Sequence, residues 1–154
     1  MRFLADAMLG RLAKWLRILG YDTVYFPQLE DHDLVRIARA EGRMLLTRDR
    51  ELTKRKGLRS LLVASDRFEE QLAQLLRDLD LDMDGSLSRC ARCNTVLRPI
   101  GREEIKGRVP PYVFREHVQF SLCPQCDKVY WRGTHWERMR QRIEEIRGDY
   151  FTSS

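Results

Sequence analysis

Residues 2–26, RFLADAMLGRLAKWLRILGYDTVYF, alternate between two kinds of apolar pattern. The run RFLA (2–5) is short and continuous, which predicts a buried strand. The apolar residues that follow have helical spacing, and they are Met8, Leu9, Leu12, Trp15, Leu16 and Leu19. Gly20 stands where a helix commonly ends, and TVYF (23–26) predicts a second strand. A strand, a helix and a strand in this order predict two parallel strands covered by the helix.

The same alternation continues along the chain as far as residue 79. Asp31 is placed to cap a helix that Gly42 closes, and MLLT (44–47) predicts a third strand, followed by a short helix over DRELTKRK. SLLVA (60–64) predicts a fourth strand and FEEQLAQLLRDL a fourth helix. Four strand–helix units in series predict an α/β domain with three layers, in which helices cover a parallel sheet.

Composition and charge favour a soluble protein with basic surface. Of the 154 residues, 43% are hydrophobic and 33% charged, and charged side chains interrupt the first apolar run, so neither a membrane helix nor a signal peptide is expected. A cytoplasmic location follows as the expectation. Residues 1–87 hold 15 basic and 15 acidic side chains, so the whole net charge of +5 lies in residues 88–154. Such a surface either binds a polyanion such as nucleic acid or only aids solubility.

Acidic residues follow each predicted strand. Asp6 comes directly after the first strand, Asp49 after the third and Asp66 after the fourth, while Asp31 and Asp33 open the helix after the second. Carboxyl ends of parallel strands meet at one edge of the sheet, and clustered carboxylates favour Mg²⁺ or Mn²⁺. Such a site suits phosphoryl chemistry. The structural alternative is that Asp31, Asp49 and Asp66 are helix caps.

All four cysteines lie in the second half, in two CxxC pairs. Cys90 and Cys93 form the first pair, Cys123 and Cys126 the second, and 29 residues separate the pairs. This spacing predicts a zinc ribbon with a structural Zn²⁺, because two knuckles supply a tetrahedron of thiolates. Two disulfides are the rival interpretation, and a reducing cytosol opposes it. The intervening runs LRPI, PPYVF and HVQFSL predict short strands, and WERMRQRIEEIRG (136–148) predicts a closing amphipathic helix.

Four motifs occur in the order found in a known family. They are FLADAMLGRLAKWLRILGYDT, LLTRDREL, a CxxCN knuckle and CPQCDKVYWRGTHWERM. With them the chain resembles the Mut-seven C-terminal RNase domain family over nearly its whole length. The resemblance implies a PIN-like nuclease fold with an appended zinc ribbon, and a metal-dependent ribonuclease activity.

The resemblance also implies roles for particular acidic residues. Asp6 matches the first acid of the PIN site, and Asp49, within TRD, matches the acid after the third strand. The second acid is Asp31 or Asp33, and Asp33 is favoured because a residue inside the first turn projects toward the metal. Asp66 matches the fourth acid. The expected ligands of Mg²⁺ or Mn²⁺ are therefore Asp6, Asp33 and Asp49, with Asp31 or Asp66 in support.

Basic and aromatic residues complete the predicted site. The residues expected to bind RNA are Arg11, Lys14, Arg48, Arg50, Trp131, Arg132 and His135. Arginine beside a metal holds phosphate in a bidentate manner, and aromatic rings stack on unpaired bases. The structural alternatives are a solvated helix face for the basic residues and core packing for the aromatic ones.

Together these expectations divide the chain into four parts. A PIN-like domain is predicted at 1–80, an acidic linker at 81–87, a zinc ribbon at 88–136, and a C-terminal helix and tail at 137–154. The predicted function is metal-dependent cleavage of RNA, a structured RNA such as tRNA being a plausible substrate. The alternatives are a non-catalytic RNA-binding module, which would bind RNA after Asp6→Asn, and a toxin-like nuclease restrained by a partner protein.

Overall fold

A computed structural model describes residues 1–152 of the chain and the side chains of residues 1–148. Four parallel strands form the larger sheet: β1 (Arg2–Ala5), β2 (Asp22–Tyr25), β3 (Met44–Thr47) and β4 (Ser60–Leu62). Their spatial order is β2-β1-β3-β4. The helices are α1 (Gly10–Ile18), α2 (Asp31–Glu41), α3 (Phe68–Leu79), α4 (Arg102–Ile105), α5 (Pro111–Glu116) and α6 (Thr134–Thr152). The predicted α/β class with a parallel sheet is confirmed.

Alternate side chains of the central strand β1 enter two separate cores. Phe3 and Ala5 join a cluster with residues of α1, α3 and α6, whereas Leu4 packs with α2 on the opposite face. Such alternation is typical of a strand covered on both faces, and it produces the three predicted layers. Phe3 and Leu4 are fully buried, and burial of a side chain of this size contributes roughly 1.5–3 kcal/mol.

Three local expectations for the first half of the chain are wrong. Asp31 is the first residue of α2 rather than its cap, because Glu30 precedes the helix. Asp66 does not cap α3 either: the Ser65 hydroxyl accepts the Arg67 N–H at 3.0 Å, and Arg67 precedes the helix. DRELTKRK forms only one 3₁₀ turn, over Leu52–Lys54. The side chains of Asp49 and Ser65 accept hydrogen bonds from backbone N–H groups two residues ahead, and such bonds compete with helix formation.

The second half contains a smaller antiparallel sheet. Its strands are β5 (Arg98–Ile100), β6 (Phe120–Leu122) and β7 (Val129–Tyr130), in that spatial order. PPYVF, predicted as a strand, instead begins α5, with Pro111 at its first position. Proline suits that position because it lacks the N–H that would be unpaired there. Val113 then packs with Ile100 and Phe120 into the core of this sheet.

The two halves are in close contact. Residues 81–87 lie against the larger domain, since Leu81 is buried in its core and the Tyr21 hydroxyl bonds to both the N–H and the carbonyl of Asp82. The α6 helix returns to pack on α3, with Ile143 and Ile146 in the same core. The division of the chain into parts at 1–80, 81–87, 88–136 and 137–154 stays a prediction. Within the described residues, no helix combines the length and apolar character needed to cross a bilayer.

Asp22 links the larger sheet to the first cysteine pair. Its Oδ1 accepts from Arg43 at 2.8 Å and from the Asn94 side-chain amide at 2.7 Å, and Arg89 lies 3.9 Å away. The side-chain oxygen Oδ1 of Asn94 in turn accepts the Thr23 N–H at 3.0 Å. Burial raises the pKa of the Asp22 carboxyl, but these partners outweigh it, and the pKa lies well below its ordinary value.

We expect Asp22→Asn to lower the free energy of unfolding at pH 7 by about 1–3 kcal/mol, because buried Arg43 loses one of its two carboxylate partners and keeps only Glu41. The folded-state pKa of Asp22 is depressed, so its contribution is complete above the unfolded pKa of about 3.9 and falls below that pH. Urea unfolding of the zinc-loaded protein measures the effect. Asp78→Asn is the control, since that carboxylate is exposed and should change stability by less than about 1 kcal/mol.

Candidate active site and metal centre

The carboxyl ends of β1 and β3 meet at the point where the order of the sheet reverses. The strand β2 lies on one side of β1, and the chain then crosses to place β3 on the other side. In open α/β sheets this point, outside the carboxyl ends of the strands, is where ligands bind. Asp6 directly follows β1, and Asp49 lies two residues beyond the end of β3.

Asp6 is the most firmly held of these carboxylates. It is only 8% exposed, its Oδ1 accepts the Met8 N–H at 3.0 Å, and its Oδ2 accepts the Thr47 hydroxyl at 2.5 Å. The Asp6 backbone N–H donates to the Leu46 carbonyl at 3.1 Å. A carboxylate fixed from two directions has a defined orientation and needs no rearrangement to receive a ligand.

Thr47 connects Asp6 with Asp49. The fully buried Thr47 hydroxyl donates to Asp6 and accepts the Asp49 N–H at 2.9 Å, while the Asp49 carboxylate accepts the Glu51 N–H at 2.9 Å. Asp49 itself is exposed. One hydroxyl thus sets the positions of both acidic residues at this edge of the sheet.

The remaining acidic residues are less constrained. Asp33 is half-buried in the first turn of α2, near Arg36 at 3.4 Å, while Asp31 and Asp66 are exposed. Within the described part of the chain, the four cysteines are the one group of three or more potential ligands whose donor atoms all lie within 4.8 Å of one another. Asp6, Asp33 and Asp49 therefore share an edge without converging, an arrangement in which a cation would retain several waters.

Arginines flank the carboxylates. The Arg48 Nε is buried and has no hydrogen-bond partner among the described residues, and Arg50 is exposed. On α1, Arg11 lies over the Phe68 ring at 4.3 Å and Lys14 is exposed. Arg48 and Arg50 thus lie beside Asp49 in the chain, whereas Arg11 and Lys14 lie on α1.

The four cysteines form a compact cluster. The Sγ atoms of Cys90 and Cys126 are 3.4 Å apart, as are those of Cys93 and Cys123. A tetrahedral zinc site with Zn–S bonds of about 2.3 Å places its sulfurs about 3.8 Å apart. The cluster therefore fits a zinc ion.

The two cysteine pairs adopt the same turn. Asn94 and Asp127 each follow the second cysteine of a pair with positive φ, and each N–H donates at 2.9 Å to the carbonyl of the first cysteine. Burial raises the pKa of Cys90, but hydrogen bonds from Tyr130 and from backbone N–H groups outweigh it and lower the pKa to about 6. A backbone bond at Lys128 favours ionised Cys126, yet burial and the neighbouring thiols raise its pKa to about 11. Cys90 is thus favoured as a thiolate and Cys126 as a neutral thiol. A bound zinc ion would favour the thiolate form of both, because zinc binds thiolates.

A comparison with known families matches both regions. The model of the Mut7-C RNAse domain covers residues 1–143. The chain belongs to the Mut7-C RNAse domain family. The predicted resemblance is thereby confirmed, and the match includes the strand ends of the sheet and both cysteine pairs. Searches of curated proteins and of solved structures find no match.

The aromatic residues of this Mut7-C RNAse domain divide between core and surface. Trp131 is half-buried and packs 6.5 Å from the Phe120 ring, so part of it serves the core of the smaller sheet. Arg132 is exposed and lies 5.7 Å from the ring of Trp136, and His135 is exposed beside it. The predicted RNA-binding residues are therefore divided among the strand end at Arg48 and Arg50, the helix α1, and this second surface, and Lys14 lines the same cavity as Trp131 and His135.

Sequence reasoning missed Thr47 and Asp22 in the Mut7-C RNAse domain. Thr47 stands within TRD as a polar residue ending a buried strand, a signal that a side-chain acceptor lies nearby. Asp22 gives no such signal, because its partners Arg43 and Asn94 are distant in sequence.

Proposed function

We propose that the protein is a PIN-like, metal-dependent ribonuclease with Mg²⁺ or Mn²⁺ held at Asp6, Asp33 and Asp49. Asp31 or Asp66 would support the ion. The observation that carries this proposal is the pair Asp6 and Asp49, linked by the Thr47 hydroxyl at the switch point of the sheet. Membership in a family of RNAse domains implies an RNA substrate.

The chemistry assigned to the site is hydrolysis of a phosphodiester bond by water. A bound divalent cation would supply Lewis acidity toward the phosphate and lower the pKa of water. Asp6 would hold negative charge in a fixed direction, and exposed Asp49 would accommodate the approach of substrate. Arg48 and Arg50, on either side of Asp49, would bind the phosphate oxygens. Cleavage would leave a 3′ hydroxyl, as in PIN chemistry.

The basic and aromatic surfaces would hold the RNA. We assign phosphate contacts to Arg11 and Lys14 on α1, and stacking or backbone contacts to Trp131, Arg132 and His135. A structural Zn²⁺ at the four cysteines would maintain the smaller sheet, which suits a reducing compartment such as the cytoplasm. A structured RNA such as tRNA is the substrate class that we propose.

One observation favours the alternative of RNA binding without turnover. The carboxylates of Asp6, Asp33 and Asp49 do not converge to ligand distance among the described residues. A protein that binds RNA with this fold but holds no cation would show the same arrangement.

We expect the zinc-loaded wild type to cleave a pool of structured RNA with Mn²⁺ and not without an added cation. Asp49→Asn should reduce cleavage at least about 100-fold and retain RNA binding, because only the charge at the site changes. Dialysis rather than EDTA removes the cation, since a chelator also attacks the zinc site.

Asp84→Asn is the matched control, because this exposed carboxylate lies in the segment beside the start of β2, away from the carboxyl ends of the strands, and should leave cleavage unchanged. Equal binding with no cleavage by any of the proteins would favour the RNA-binding module. Cleavage by Asp49→Asn at the wild-type rate would contradict the proposed site.

A further inference from the structure

A cavity of about 360 Å³ lies where the two halves of the chain meet. Its walls come from α1, α5, β7 and the first turns of α6. The rings among its lining residues are Tyr112, His117, Tyr130, Trp131, His135 and Trp136. Its volume falls in the range of small-ligand sites, and its aromatic lining is typical of them.

One lining residue has a buried polar group without a hydrogen-bond partner in the described part of the chain. Trp136 is 4% exposed, and its Nε1–H has no hydrogen-bond partner among the described residues. An unpaired buried donor costs free energy unless a ligand supplies an acceptor. Nucleobases carry carbonyl oxygens or ring nitrogens that accept such a bond, and so do the backbone carbonyls of a peptide, so the charges around the cavity decide between these two ligands.

The charges around the cavity suit a polyanion. Lys14 and Lys128 line it, with the Lys128 ammonium 5.1 Å from the Tyr130 ring, and Arg132 lies over Trp136. Glu116 is the carboxylate among the lining residues. Aromatic faces beside cations are the combination that binds an unpaired base together with its phosphate.

We propose that this cavity receives one unpaired nucleobase of an RNA strand, with Tyr112 as an exposed stacking surface. The inference rests on the proposed function for the identity of the strand, and it narrows the substrate to RNA with at least one unpaired nucleotide. Lys14 connects the cavity with the helix that follows Asp6 in the chain. The α1 helix begins at Gly10, four residues after Asp6, and Lys14 lies about 6 Å further along its axis.

The test compares Tyr112→Ala with Val118→Ala in the full, zinc-loaded chain. Both side chains are exposed, at 57% and 74%, so neither change should unfold the protein, and Val118 does not line the cavity. The probes are a fluorescent octauridylate and an octamer of abasic ribose phosphates. Binding is measured by anisotropy without added Mg²⁺ or Mn²⁺, so that cleavage plays no part.

Wild type should bind octauridylate more tightly than the abasic octamer. Tyr112→Ala should weaken binding of octauridylate about 5- to 100-fold and leave binding of the abasic octamer unchanged, while Val118→Ala changes neither. Equal losses for both probes, or no loss for either, would overturn the proposal, and the latter result would leave the cavity to a ligand such as a protein segment. A wild type that does not distinguish the probes would overturn it as well.

Failure of the proposed function gives a different pattern. Absence of Mn²⁺-dependent cleavage together with a base-dependent loss in Tyr112→Ala would reject the nuclease and retain the cavity as a base site. Cleavage that needs Asp49, together with equal binding of octauridylate by Tyr112→Ala and wild type, would support the nuclease and reject the cavity as a base site.

Discussion

Cys123→Ser is expected to abolish zinc binding and unfold the smaller sheet. Cys123 is fully buried between its partners, and its Sγ accepts the Cys126 N–H and lies 3.4 Å from Cys93. Zinc sites of this type contribute about 10–16 kcal/mol of apparent binding free energy, whereas the core around Ile100 and Phe120 is small. Without the metal, three thiols and a hydroxyl would remain close together where the two cysteine pairs meet.

Zinc content by mass spectrometry and limited proteolysis of residues 88–133 measure this loss. The control is Ser121→Ala, a half-buried hydroxyl in β6 that is not a ligand, which should retain one zinc per chain. A folded, protease-resistant Cys123→Ser protein without zinc would show that the cluster does not depend on metal.

The loss of zinc should also destabilise the part of the larger domain that contacts the first cysteine pair. Arg17 on α1 donates to the carbonyls of Ala91 at 3.2 Å and Arg92 at 3.1 Å, and Asn94 bonds to Asp22 and Thr23. We therefore expect faster hydrogen exchange at the end of α1 and in β2 of the Cys123→Ser protein.

Asp6→Asn is expected to lower Mn²⁺-dependent cleavage by about 100- to 1,000-fold while the fold is retained. The substituted amide keeps an oxygen for the Met8 N–H, and its nitrogen faces the Thr47 hydroxyl, which then accepts instead of donating. The change removes the charge of the least exposed carboxylate at the sheet edge. Single-turnover cleavage of a labelled RNA, with binding measured in parallel, tests this.

Thr47→Val tests the positioning of the two carboxylates separately from their charge. It preserves the charge of Asp6 and removes the hydroxyl that holds both Asp6 and Asp49. We expect a smaller loss of cleavage than for Asp6→Asn, together with a higher Mn²⁺ requirement, because the ligands are intact but less well placed.

Cleavage by purified Asp6→Asn at the wild-type rate would contradict the assignment of Asp6 to the proposed site.

The patterns that decided the fold were local ones. β1 and β3 were predicted with the correct bounds, and α3 likewise, because buried strands and an amphipathic helix leave strong periodic signals. The cysteine cluster was predicted for a similar reason, since ligand spacing within a knuckle is short and specific.

Features that depend on tertiary contacts were missed. The PPYVF run alternates in a way that suits a strand, yet Pro111 and the burial of Val113 favour the helix α5. Asp22 gained its importance only through Arg43 and Asn94, which lie 21 and 72 residues away. Which of Asp31 and Asp33 supports the cation stays a prediction, because both lie in the same turn of α2.

The late position of α6 in the chain has a consequence for synthesis. Ile143 and Ile146 complete the core that Leu72, Leu75 and Leu76 begin. A ribosome delivers the four strands and α3 well before these isoleucines, so the apolar face of α3 stays open while the cysteine region is translated. The larger core closes only after α6 emerges. An mRNA truncated before the codons of α6 would yield a product with an exposed leucine face, a substrate for chaperones and proteases.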